Sequence, residues 1–142
     1  MNIAEWQEKV YALAKSKGWW DGLLQGEASV IPEKIALIHS EVSEALEVYR
    51  SPTRMPFRES VYMDPDGERH AEQFPTTSTF GIGNHPTYDH PRKPIGFDSE
   101  MADVVIRVMG LCAHLGIDLE RAIREKHAYN ETRPRRHGGK RC

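Results

Sequence analysis

The chain carries little that would place it in a membrane or outside a cell. Its apolar stretches are too short and too often interrupted to span a bilayer, and the amino terminus has no signal-peptide pattern, so a cytosolic protein is expected. Cysteine is scarce: Cys112 and Cys142 are the two in 142 residues, which fits that compartment. No Cys/His spacing suggests a zinc site. No internal repeat or low-complexity segment is evident, and the Glu-x-x-His pairs that a di-iron bundle requires are missing. A net charge of −2 and 39% hydrophobic residues are ordinary for a globular protein. The length suits one domain, residues 1–142, with a core large enough to fold without staples.

Charge and proline are distributed unevenly. From Glu131 to Cys142 five cations, Arg133, Arg135, Arg136, Lys140 and Arg141, face one acid, leaving the rest of the chain at −6. This basic tail, residues 132–142, is read as a solvated terminus. Seven of the nine prolines lie between 51 and 97, together with Gly67, Gly81 and Gly83, so no long helix can cross that stretch. Its aromatics, Phe57, Tyr62, Phe74, Phe80, Tyr88 and Phe97, predict an ordered excursion with a short hairpin around Val61 to Phe74. His85 and His90 within it have no credible ligand partners and are read as surface residues.

Outside this stretch the periodicity is helical. A first helix is predicted from Ile3 to Ser16, with Trp6, Val10, Leu13 and Ala14 as its apolar stripe and Gly18 as its stop. A second begins near Pro32, a residue suited to a first helical position, and runs to about Arg50. The third runs from about Asp98 to Leu115 and ends at Gly116. It is apolar almost all round, which asks for a second partner surface and hence homo-oligomerisation. Asp118 suits an N-cap for a fourth helix, Leu119 to about Glu131.

Two acidic pairs sit inside these apolar helices: Glu41-x-x-Glu44 and Glu100-x-x-Asp103. At about 100° per residue, Leu37 and Val48 fall between Glu41 and Glu44, and Ala45, Ile38, Tyr49 and Val42 follow on the other side. Glu47 falls among Ser40, Ser43 and Glu33 and is read as solvated. On the second acidic helix, Leu111, Val104, Leu115 and Val108 flank the Glu100/Asp103 row, and Cys112 lies on the apolar arc as a small core side chain. Burying an unpaired carboxylate costs several kcal/mol, so such groups are paired, protonated or bound to metal. Hard oxygen ligands converging from facing helices suit Mg²⁺, with Mn²⁺ as the alternative ion. The competing explanation is a salt bridge, for which Arg107 is an available partner. It suits one acid better than two pairs.

Downstream, Lys126 and Asn130 share a helix face, and Arg133 continues the row where Pro134 ends the helix. Ammonium, amide and guanidinium groups in line suit a polyphosphate, although an exposed basic helix end would look the same. The tryptophan pair Trp19-Trp20 offers a stacking surface for a base, with Trp20 the candidate; packing against the bundle is the stronger reading. His39 is placed at the edge of the core.

With Glu41-x-x-Glu44, Glu100-x-x-Asp103 and Lys126-x-x-Tyr-Asn130-x-x-Arg133-Pro-x-x-His-Gly in that order, the chain resembles the all-α nucleotide pyrophosphohydrolases of the MazG-like superfamily, which includes dimeric dUTPases and dCTP pyrophosphatases. The resemblance covers roughly residues 1–50 and 98–140. It implies an all-α, four-helix MazG-like bundle, with 51–97 as a long insertion between the second and third helices, assembled as a homodimer or homotetramer. It also implies Mg²⁺-dependent cleavage of a nucleoside triphosphate, a dNTP or an aberrant nucleotide, between its α and β phosphates. Glu41, Glu44, Glu100 and Asp103 would be the metal ligands, and Glu41 or Glu44 would orient or deprotonate the attacking water. Lys126, Asn130 and Arg133 would hold the substrate. A phosphoribosyl-ATP pyrophosphatase and a non-catalytic helical module with a nucleic-acid-binding or acid-binding tail are the alternatives; four intact carboxylates make nucleic acid the less favoured partner. The gap between the acidic pairs is longer than is common in that family, which bears on substrate choice more than on catalysis.

Overall fold

A computed structural model describes residues 2–21, 27–51, 59–73 and 93–134. Phe57, Phe74, Phe80, Tyr88, His85, His90, the tail cations from Arg135 onward and Cys142 lie outside the described residues. The described chain is mostly helical. In order it contains α1 (Ile3–Ser16), α2 (Glu27–Arg50), β1 (Glu59–Met63), β2 (Arg69–Gln73), β3 (Lys93–Ile95), α3 (Phe97–His114) and α4 (Leu119–Glu131). No helix among the described residues is long and apolar enough to cross a membrane. The fold divides into two compact units, Met1–Lys34 with Ile106–Cys142, and Ile35–Val105.

Local chemistry accounts for most helix ends. The Asn2 side chain accepts from the Glu5 N–H while the Glu5 side chain accepts from the Asn2 N–H, a reciprocal cap at the start of α1. At its end Gly18 takes φ 72°, the Gly18 N–H donates to the Lys15 carbonyl and the Trp19 N–H to the Ala14 carbonyl, both at 3.0 Å. The end of α3 repeats this arrangement: Gly116 donates to Ala113 at 3.2 Å and Ile117 to Cys112 at 2.8 Å. Both are Schellman closures, which satisfy the last carbonyls and require the left-handed residue that glycine supplies. Asp118 then caps α4 by accepting from the Arg121 N–H at 2.9 Å.

The second helix departs from expectation. It starts at Glu27, with Pro32 inside it rather than at its first position. Proline removes one helical hydrogen bond, the one that would have gone to the carbonyl of residue 28. That vacancy falls so near the helix start that one extra turn can precede it.

In the first unit, Ala14, Trp20 and Val30 form the core, with Tyr11 and Leu111 packed against it. Trp20 stacks on His114 with ring centroids 4.4 Å apart and meets Tyr11 edge-on at 5.6 Å. The Tyr11 hydroxyl lies 3.2 Å from His114 Nδ1. Lys34 Nζ sits 4.8 Å from the Trp20 ring centroid and donates to the Trp19 carbonyl at 2.8 Å. In the second unit, β1 pairs antiparallel with both β2 and β3, in the order β2-β1-β3. The expected hairpin is present as β1 and β2, joined through Asp64-Pro65-Asp66-Gly67, whose glycine at φ 91° donates to the Asp64 carbonyl at 2.9 Å. Proline, aspartate and glycine in that order are the residues a tight turn selects. The third strand was not foreseen. Val61, the buried centre of β1, faces Ala71 and Ile95 across the sheet.

Candidate metal centre

The second unit brings three of the four sequence-selected acids together. Glu41 and Glu44 lie one turn apart on α2, and Glu100 lies in the first turn of α3; one carboxylate oxygen of each falls within 4.8 Å of the others. Opposite ligands of a Mg²⁺ ion stand about 4.2 Å apart, twice a metal–oxygen bond. Only one pair among three ligands can be opposite, and adjacent ones stand about 3.0 Å apart, so the three oxygens must draw closer to share one cation. Carboxylates are acceptors only when ionised, so at this spacing they repel one another unless a cation or proton intervenes. The donor set is oxygen throughout, as Mg²⁺ or Mn²⁺ prefers.

The environments of these acids differ. Glu41 is only 6% exposed, Glu100 is half-buried and Glu44 is exposed, accepting from Ser40 Oγ at 3.3 Å. Partial burial, followed by the charges of Glu44, Asp103 and Glu41, holds the Glu100 carboxyl above the usual carboxylate range, against the opposing pull of Lys93. Asp103 is exposed and stands outside the three-carboxylate set, reaching it through its charge on Glu100. The inward placement expected for Glu44 and Asp103 is thus not what the chain shows. Around α2, Glu41 lies with the buried Ala45 and the half-buried Leu37, Ile38 and Val48, whereas Glu44 falls at the edge of that arc, toward the exposed Ser40 and Glu47.

The small sheet takes part in building this centre. Strand β3 leads through Gly96, at φ 111°, straight into α3. The Glu100 N–H donates to the Gly96 carbonyl at 3.1 Å, and Ser99 Oγ donates to the Pro94 carbonyl at 3.2 Å. Glu100 therefore sits where the positive end of the α3 dipole favours an anion. Lys93, on the same strand, is the charged neighbour that sequence reading missed. Six residues, Gly96 among them, separate it from Glu100, and no periodicity connects the two.

The remaining candidates belong to the first unit. Lys126 and Asn130 are exposed on α4, Arg133 is exposed just beyond it, and Lys126 Nζ lies 5.3 Å from the Tyr129 ring centroid. Trp20 is 9% exposed and engaged with His114, Tyr11 and Lys34, so little of its ring remains for a base. Its assignment to the substrate is replaced by one to the core, and neighbouring Trp19 is the exposed member at 59%. His39 is exposed rather than at the core edge. Cys112 is half-buried, and burial pushes its thiol up. Compared with family models, with curated proteins and with solved structures, the chain matches none.

Proposed function

We propose that this protein is a divalent-metal-dependent nucleoside triphosphate pyrophosphohydrolase of the MazG-like kind, cleaving a dNTP or aberrant nucleotide to a monophosphate and pyrophosphate. The observation that carries the reading is the approach of Glu41, Glu44 and Glu100 within 4.8 Å from two helices. Mg²⁺ or Mn²⁺ held there would neutralise phosphate charge and lower the pKa of a coordinated water. Glu41 or Glu44 would orient or deprotonate that water. Asp103 adds negative charge beside Glu100, which strengthens cation binding. The row Lys126, Asn130 and Arg133 has the chemistry to hold a polyphosphate and to stabilise charge on the departing pyrophosphate.

A homodimer or homotetramer is part of this reading. On α2 the exposed residues Ile35, Val42, Leu46 and Tyr49 follow one another by seven, four and three positions and fall within about 60° of one another around the helix. An apolar stripe of that form is what a helix-packing interface requires. The test is pyrophosphate release from a panel of NTPs, dNTPs and phosphoribosyl-ATP with Mg²⁺. Release from a dNTP supports the proposal, release from phosphoribosyl-ATP alone transfers it to that reaction, and release from none leaves a non-catalytic helical module.

A further inference from the structure

Helix α4 has no buried residue. Ile123 and Tyr129, its large apolar side chains beyond the first turn, are 45% and 59% exposed. A helix so little packed takes its direction from whatever holds its start. That anchor is polar. Gln7, on α1, is 6% exposed, and its amide is used at both ends: Nε2 donates to the Ile117 carbonyl at 2.9 Å and Oε1 accepts from the Leu119 N–H at 3.1 Å. The two contacts lie on either side of Asp118, the N-cap of α4. Two residues past that cap, the Glu120 carboxylate accepts from Arg124 at 2.6 Å, a bond that holds it below the usual carboxylate range.

A buried amide satisfied at both ends is stable only in that geometry, because losing either bond strands a buried polar group. It also reads the backbone at two positions with opposite polarity, which a hydrophobic contact of the same volume would not do. Gln7 thus determines the corner between α3 and α4 rather than merely filling space beside it. Everything downstream, Lys126 and Asn130 on α4 and Arg133 just beyond it, is aimed from that corner.

We infer that Gln7 is a positioning residue for the polyphosphate-binding row of α4, acting through its paired hydrogen bonds at the helix start. The phosphate half of this inference rests on the proposed hydrolase activity; control of the helix direction does not. Two measurements separate them. In a chain carrying Cys112→Ala and Cys142→Ser, spin labels at Lys9→Cys on α1 and Ala128→Cys on α4 report the interhelix distance distribution. It should be narrow with Gln7, broad with Gln7→Leu and intermediate with Gln7→Glu, which keeps the acceptor for Leu119 and loses the donor for Ile117. In the same series without labels, Gln7→Leu should raise KM for the triphosphate about ten-fold, the scale of one lost binding interaction, and lower kcat as well, since the row both holds the polyphosphate and steadies the leaving group. Mn²⁺ affinity should not change, since the acids belong to the other unit.

An unchanged distance distribution in both Gln7 variants overturns the inference. Broadening with unchanged KM overturns the phosphate half, leaving Gln7 as a structural tie. If the wild-type protein hydrolyses no triphosphate, the hydrolase reading fails, and the distance distribution alone decides whether Gln7 directs α4. Should Gln7→Leu not fold, Gln7→Glu carries both measurements.

Discussion

The Glu100 N–H donates to the Gly96 carbonyl at 3.1 Å, so the residue that turns the chain out of β3 also closes the first helical bond beneath a candidate metal ligand. Gly96 holds φ 111°, a region that residues with a Cβ enter only under strain. Gly96→Ala should therefore cost about 1 to 3 kcal/mol, read from urea unfolding. It should also weaken Mn²⁺ binding, because Glu100 moves with the turn. Wild-type stability in this variant would mean that the turn relaxes without moving the acid.

The raised Glu100 carboxyl makes a pH prediction. In the folded state its pKa lies above 4.5, through burial first and the neighbouring acids second. A folded pKa above the unfolded one favours the folded state when the group is protonated, and that contribution is lost as pH rises through the folded value. Without divalent cation, the stability of the wild type relative to Glu100→Gln should therefore fall between 4.5 and the raised value. Saturating Mg²⁺ should reverse the trend above that window by compensating the ionised carboxylates. Thermal melts of both proteins across pH, with and without Mg²⁺, measure it; parallel curves would show that Glu100 titrates as an ordinary carboxylate.

The tryptophans should separate cleanly. Trp20→Ala removes a ring stacked on His114 and should cost about 3 to 5 kcal/mol, as large core truncations do. Trp19→Ala, at an exposed position, should stay within about 0.5 kcal/mol. Chemical denaturation distinguishes them, and a mild Trp20→Ala accompanied by a large rise in KM would restore the base-stacking role.

The match between sequence and structure follows the range of the forces involved. Helices α1 and α4 are legible to their end residues because Asn2, Gly18 and Asp118 act within one turn of their own position. The hairpin is legible because Asp64-Pro65-Asp66-Gly67 writes its own turn. Strand β3 is not, since three residues that include a proline have no alternation of their own and exist through pairing with β1. Periodicity placed Glu41, Glu44 and Glu100 on rows able to converge, but it could not tell an apolar face that is covered from one that stays exposed. Gln7 carries no signal in the sequence, because its meaning lies in backbone groups 110 and 112 residues away.

A metal-dependent activity requires that the three carboxylates hold a cation. Mn²⁺ titration of the metal-free protein, followed by the loss of the free-ion electron paramagnetic resonance signal, tests this directly. Binding to the wild type should be saturable, at least ten-fold weaker for Glu41→Gln and Glu100→Gln, roughly one lost ligand each, and less reduced for Asp103→Asn. Equal, non-saturating binding by the wild type and a Glu41→Gln/Glu44→Gln/Glu100→Gln variant that retains its helix content would contradict it.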